Sequence, residues 1–306
     1  VPDMAGASLG LADSLIGLEE IDAANAAIRA ETEKSPLHGD CYRMLGKIHL
    51  GEGDLIAAAN QFNRAYILDP NSVKSQTNLA EILSQTREYD KAETLYQAAL
   101  AQAPDNPEIK MNYGIHLIAN GQFEKGWRYF EARLDPRYGS APIRNISLPR
   151  WQGPGENPPR RHLLVLSEQG IGDEIKLGGA LPLLHDHFET ITIECDPRLV
   201  GLFERSLKPA TAHAFVRHKQ GEHGHYSYGW LSPENGPDCY IEVGSISHTL
   251  GLKLQAPLNP DGYLYPLPVI RKRLAQRLTR LAGSRRKVGI VWASGMSTFE
   301  RSRNYP

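Results

Sequence analysis

Large apolar and small residues recur along the first 140 positions with a fixed spacing of 34. Leu11-Ala12, Leu45-Gly46, Leu79-Ala80 and Tyr113-Gly114 fall in one column, each pairing a large residue with a small one. Ala24, Ala58, Ala92 and Gly126 form a second column, and Ile28, Phe62, Tyr96 and Phe130 a third. Within each period the apolar positions follow helical spacing, so the pattern predicts pairs of helices. The small residues let the two helices cross closely, and the large ones fill the space between them. Pro36, Pro70 and Pro104 stand where each second helix must end. Glu52-Gly53-Asp54, Arg87-Glu88-Tyr89-Asp90 and Asn120-Gly121-Gln122-Phe123 supply the breaks inside the hairpins. Four periods keep this register without an insertion: 5–38, 39–72, 73–106 and 107–138.

Helical hairpins with this period and these columns resemble tetratricopeptide repeats. No hairpin of this kind can bury its apolar face alone, so neighbours stack into a solenoid with a concave groove. The groove suits a protein or peptide partner; a spacer or oligomerisation arm fits the same pattern equally well. Tyr42 reads as core. The fourth repeat departs from the others, with Arg133 replacing a small residue and no closing proline. Terminal repeats cap the stack or dock on a neighbouring domain, which makes Trp127 and Arg133 candidates for a contact with a second domain.

The pattern then changes. Residues 139–161 carry Pro142, Pro149, Pro154, Pro158 and Pro159 among several glycines, which predicts an extended linker without regular structure. Trp151 reads as the residue that pins it to a domain surface. From His162 onward short apolar runs alternate with helical stretches. His162–Leu166, Ile191–Cys195, Cys239–Val243 and Val288–Trp292 read as strands. Residues 174–187, 197–206 and 271–282 read as helices, the last basic and amphipathic. The alternation predicts a parallel α/β sheet over 162–306. The fold class is therefore an α-solenoid followed by a Rossmann-like α/β part.

In parallel sheets ligands collect beyond the carboxyl ends of the strands. The loop after the first strand, Gln169-Gly170-Ile171-Gly172-Asp173, occupies that place, with glycines before a helix N-terminus suited to an anion. A dinucleotide fingerprint needs a third glycine at fixed spacing, which is missing, and Asp173 stands where phosphate would dock. An acid at this position also serves simply as a helix cap. The residues alone leave both readings open.

Composition narrows the field. No apolar run approaches the roughly 20 residues that span a bilayer, and the start lacks the marks of a secretory signal. Cys41, Cys195 and Cys239 are too scattered for a disulfide framework or zinc site, and read as buried thiols of a cytoplasmic protein. His218, His223 and His225 read as a polar loop, with a metal the lesser use. Residues 1–140 hold 13 Lys and Arg against 20 Asp and Glu; the remainder holds 21 against 15. The basic second half suits a small anionic ligand, and no dense basic stripe with aromatics points to nucleic acid. The absence of an initiator methionine gives the expectation that the sequence is part of a longer chain.

Several strings together resemble bacterial tetratricopeptide proteins with a glycosyltransferase-like domain. They are Gly126-Trp127 with Arg133, Pro149-Arg150-Trp151-Gln152-Gly153, Leu164-Val165, Glu168 to Glu174, Glu194 to Leu199, Gly244-Ser245-Ile246 and Val288 to Trp292. That domain is similar to the bacterial heptosyltransferases, whose GT-B fold faces two Rossmann-like halves across a cleft. The resemblance implies sugar transfer from a nucleotide-sugar donor, without other cofactor or metal, to an acceptor bound by the first half. It makes Asp173 the general base and Gln169, Gly170 and Gly172 its acceptor loop. It assigns 287–293 to the first strand of the donor half, and Ser294, Gly295, Arg301 and Arg303 to a donor-phosphate loop. With one strand of that half before Pro306, the expectation is a truncated enzyme, inactive alone. The alternative is an interaction module carrying an inactive α/β remnant.

Overall fold

A computed structural model of the protein describes residues 4–18, 20–138, 143–144, 146–157, 159–168, 170–214, 216–219, 224–228, 231, 236–253, 262–283 and 285–286. The chain divides into two compact units between Asn120 and Gly121. Among the described residues the first holds seven helices: α1 (Met4–Gly17), α2 (Ile21–Lys34), α3 (Gly39–Glu52), α4 (Leu55–Leu68), α5 (Val73–Gln85), α6 (Tyr89–Gln102) and α7 (Pro107–Ala119). Each proline of the 34-residue register stands two positions beyond a helix end, after Lys34, Leu68 and Gln102.

The columns of the repeat are its core. Ala24, Ala58 and Ala92 are fully buried, as are Ile28, Phe62 and Tyr96 within about 1%. Gly46 has to be small: a Cβ there would lie 2.5 Å from the Phe62 ring. The break inside the hairpin also repeats, because Gly53, Arg87 and Gly121 all take left-handed backbone, at φ 81°, 66° and 76°. Tyr42 Oη donates to the carbonyl of Pro36 and Gln76 Nε2 to that of Pro70, both at 2.8 Å, so equivalent bonds recur one period apart. Asp54, Ser72 and Asn106 cap the helices that come after them. One column differs from expectation. Tyr113 and Leu79 are buried, but Leu11 is 56% exposed, because no described helix comes before α1 to cover it.

The second unit opens with α8 (Phe123–Phe130) and two short 3-10 turns, Glu131–Leu134 and Pro136–Tyr138. The repeat register of 107–138 thus runs past the point where the packing divides. The strands are β1 (Ile143–Arg144), β2 (His162–Leu166), β3 (Thr190–Cys195), β4 (Thr211–Ala214), β5 (Val216–Lys219), β6 (Gly224–Ser227) and β7 (Cys239–Glu242). Four of them form a parallel sheet in the order β4-β3-β2-β7. The remaining helices are α9 (Ile171–Leu177), α10 (Val200–Ser206), α11 (Ile246–Thr249) and α12 (Pro268–Ala282). The architecture is an α-solenoid in the first unit and a parallel α/β arrangement in the second.

Local details depart from the sequence reading. The helix expected over 174–187 is α9 followed by 3-10 turns over Gly178–Asp186, which include Pro182. Proline removes a donor and clashes with the preceding turn, so an α-helix does not continue there. The stretch with His218 and His225 is an antiparallel β5–β6 hairpin, to which β1 adds a parallel edge; His223 lies outside the described residues. The linker also pairs: Trp151 N donates to Tyr240 O at 2.8 Å and Tyr240 N to Pro149 O at 3.0 Å. Trp151 is 3% exposed and meets Phe188 edge-on at 5.0 Å, so it pins the linker from within the sheet's core.

Candidate functional site

The carboxyl ends of β2, β3 and β7 gather an unusual amount of buried charge. Ser167 and Glu168 come directly after β2, Glu194 is the last residue but one of β3, and Glu242, Gly244 and Ser245 stand at the end of the last of the three. Glu168 and Glu194 are nearly sealed from solvent, at 7% and 2% exposure. A buried carboxylate is tolerable only with a cation and hydrogen bonds around it, and three arginines provide them.

Arg133, 2% exposed, meets Glu168 at two points, Nε to Oε1 at 3.0 Å and Nη2 to Oε2 at 2.9 Å. Its other donors reach Ser245 Oγ at 2.7 Å, Glu131 Oε1 at 2.9 Å and the Phe130 carbonyl at 3.2 Å. All five guanidinium N–H groups are therefore used. Burial opposes its charge, but Glu168 and Glu131 outweigh that and hold the guanidinium above its ordinary range. Glu131 also takes Arg150 Nη2 at 2.8 Å, while Arg150 Nε reaches Glu242 at 2.7 Å. Burial works to raise the Glu131 carboxyl, and Arg133, Ser245 and Arg150 overcome it, leaving it below its ordinary value.

Arg144 serves the other side. From the short β1 its Nη1 reaches Glu194 Oε1 at 2.5 Å and also meets Tyr228 Oη, while Nη2 donates to the Ser167 carbonyl. Ser167 adds its backbone N–H at 3.1 Å and its hydroxyl at 2.6 Å to the same Glu194 oxygen. Glu174 stands beside this group and accepts the Asp196 N–H at 3.0 Å. Burial, with help from Asp196 and Glu194, pushes its carboxyl up to about 7. Glu174 can therefore change charge near neutrality.

Asp173 is different. It sits half-exposed in the first turn of α9, and its Oδ2 accepts the Gly170 N–H at 3.3 Å, the reach-back half of a capping box. No arginine or lysine lies within ion-pair distance of it among the described residues. Gly170 has φ −100°, extended backbone open to any residue, and Gly172 lies one turn position before Asp173. Gln169 falls outside the described residues. So do Ser294, Gly295, Arg301, Arg303 and the strand expected at 287–293.

The repeat pattern marks Arg133 for docking, but no pattern in the sequence assigns a role to Glu168, Glu194, Arg144, Arg150 or Ser245. A signal was present: Glu194 interrupts the apolar Thr190–Cys195 run, and a charge in a buried strand demands a partner. Trp127 is buried and packs edge-on against Phe130 at 5.8 Å; its Nε1 has no hydrogen-bond partner among the described residues. The three cysteines are buried free thiols, and burial pushes Cys195 up to about 12, far from a nucleophile's range. Among the described residues no group of His, Cys, Asp or Glu is placed to hold a metal ion, and no helix is long and apolar enough to cross a membrane.

Residues 9–73 and 87–126 match the tetratricopeptide repeat family. The repeats are tetratricopeptide repeats. As such they form a protein-interaction module. Over 300 residues the chain is 27% identical to protein FlbA of Caulobacter vibrioides, a match that takes in 94% of this chain and 48% of FlbA. It is 32% identical over 127 residues to the TPR repeat-containing thioredoxin TTL4 of Arabidopsis thaliana, covering 39% of this chain and 18% of that protein. The chain thus spans about half the length of FlbA, and its likeness to FlbA extends beyond the tetratricopeptide repeats into the α/β unit. A mutant O-GlcNAc transferase of Thermobaculum terrenum aligns with a TM-score of 0.40 at 17% identity, over 68% of this chain and 41% of that one.

Proposed function

We propose that the tetratricopeptide repeats recruit a protein or peptide partner for a sugar-transferring α/β part. That part would bind a hydroxyl-bearing acceptor at its Gln169–Asp173 loop and receive the sugar from a nucleotide-sugar donor. Asp173 takes the acceptor's proton as the new bond forms. The donor's phosphates fall to the segment with Ser294, Gly295, Arg301 and Arg303, in the second Rossmann-like half of a GT-B arrangement. One observation carries this reading. Glu131, Glu168, Glu194, Glu242 and Asp196 each face a guanidinium, whereas Asp173, at the ligand-binding edge of a parallel sheet, makes a single long backbone contact among the described residues and stays partly open to solvent.

A second reading has its own support. Arg133, Arg144 and Arg150 are committed to internal carboxylates, so these three offer nothing to a phosphate, as suits an interaction module without catalysis. Calorimetry against nucleotide-sugars and nucleoside diphosphates, with a nicotinamide dinucleotide as control, separates the two. Binding of the first class, with sugar transfer lost in Asp173→Asn, supports the transferase. No response to any nucleotide, beside intact peptide binding, leaves the interaction module.

A further inference from the structure

We propose that α12 rests on an anionic lipid surface and holds the α/β unit there, a role independent of sugar transfer. Thirteen large apolar side chains are exposed among the described residues, and seven of them fall between Tyr265 and Leu281. Ile270, Leu274, Leu278 and Leu281 succeed one another at helical spacing and form a single stripe, 37% to 66% exposed. Every residue from Pro268 to Leu281 is exposed, so nothing described in the protein covers this stripe.

The charge is as one-sided as the apolar stripe. Residues 262–286 carry Arg271, Lys272, Arg273, Arg277, Arg280, Arg285 and Arg286, and no Asp or Glu beyond Gly262. At 100° per residue, Arg277 and Arg273 border the stripe on one side and Arg271 on the other. None of the five cations on α12 has a carboxylate within ion-pair distance among the described residues. Uncompensated cations on both margins of an aliphatic stripe need a partner that is apolar in depth and anionic at its surface. A lipid monolayer with acidic headgroups has that layering; long basic side chains reach up to the phosphates while the stripe sinks below them. The helix is also fastened to the unit it would carry. Tyr263 is buried and donates to the Ile175 carbonyl, Arg205 Nε donates to Tyr265 O at 2.6 Å, and Tyr265 N to Ser206 Oγ at 2.8 Å.

The full chain is mixed with vesicles of phosphatidylcholine alone and with vesicles containing phosphatidylglycerol, and the bound fraction is read by co-sedimentation. Binding to the anionic vesicles, weakened by salt and small on the neutral ones, is the expected result. Leu274→Glu with Leu278→Glu lowers it roughly tenfold or more, as does joint replacement of Arg273, Arg277 and Arg280 by Gln. Circular dichroism stays unchanged in both variants because the side chains are exposed. Absence of binding to anionic vesicles, or equal binding by the variants, overturns the proposal. So does self-association of the parent that disappears in Leu274→Glu, since a second copy would then own the stripe.

Discussion

Arg133 and Glu168 share a two-point ion pair in a space that Gly244 leaves open. A Cβ on Gly244 would stand 2.8 Å from Arg133 Nη2 and 2.9 Å from Glu168 Oε2, and the Gly244 N–H itself donates to that oxygen at 2.9 Å. The end of one strand, the start of the next loop and the turn after α8 are thus held by one guanidinium.

Removing one partner of this pair should be costly because the other stays buried and charged. Arg133→Met or Glu168→Gln is expected to lower unfolding free energy by about 3–5 kcal/mol. The double variant should lose less than the sum of the two, which denaturant titration of all four proteins would show. Strict additivity would mean that the pair is not coupled.

Gly244→Ala should cost about 1–3 kcal/mol by forcing the same pair apart. The expected readout is a lower denaturant midpoint with unchanged slope. A neutral effect would show that the loop after β7 yields easily.

Glu174 makes stability depend on pH. Its folded carboxyl titrates at about 7 against an ordinary 4.5, so between these values the folded state holds a proton that the unfolded state has released. Stability should therefore fall as pH rises from 4.5 to 7 and level off above. Glu174→Gln should remove that slope and raise the melting temperature above the folded titration point, with little change at the acid end of the range. Gln can still accept the Asp196 N–H, so the comparison isolates the charge. Thermal unfolding across this range is the measurement, and an unchanged slope in the variant would assign the titration elsewhere.

The left-handed position of the hairpins gives a paired test. Gly53 and Arg87 occupy equivalent places with φ 81° and 66°. A side chain there carries about 1–2 kcal/mol of backbone strain, and glycine loses about 0.5–1 kcal/mol more chain entropy on folding. Gly53→Ala should destabilise, and Arg87→Gly should stabilise by a few tenths to about 1 kcal/mol. Chemical unfolding followed by helical signal reads both; a destabilised Arg87→Gly would contradict the strain argument.

Asp173→Asn keeps an oxygen for the Gly170 N–H and removes the base. Folding should be unchanged, while sugar transfer falls by roughly 10² or more. Transfer at the parental rate would leave Asp173 a helix cap and nothing else.

The repeats could be read from the sequence because their information is local. Each helix pair closes within one 34-residue period, and Gly46 against Phe62 or Gln76 against Pro70 are contacts inside a period or at its border. The same holds for β2 and β3, whose short runs announce burial on both faces, and for β7, where burial alternates along the strand. Partners that lie far apart in the chain were decided only by the tertiary structure. Arg133 finds Glu168 across 35 positions and Ser245 across 112, and Arg144 finds Glu194 across 50. No periodicity records which of many charged residues will meet when β7 lines up beside β2. A pattern of apolar spacing states which faces are buried; the partner of a buried charge is fixed only when the sheet order brings the strand ends together.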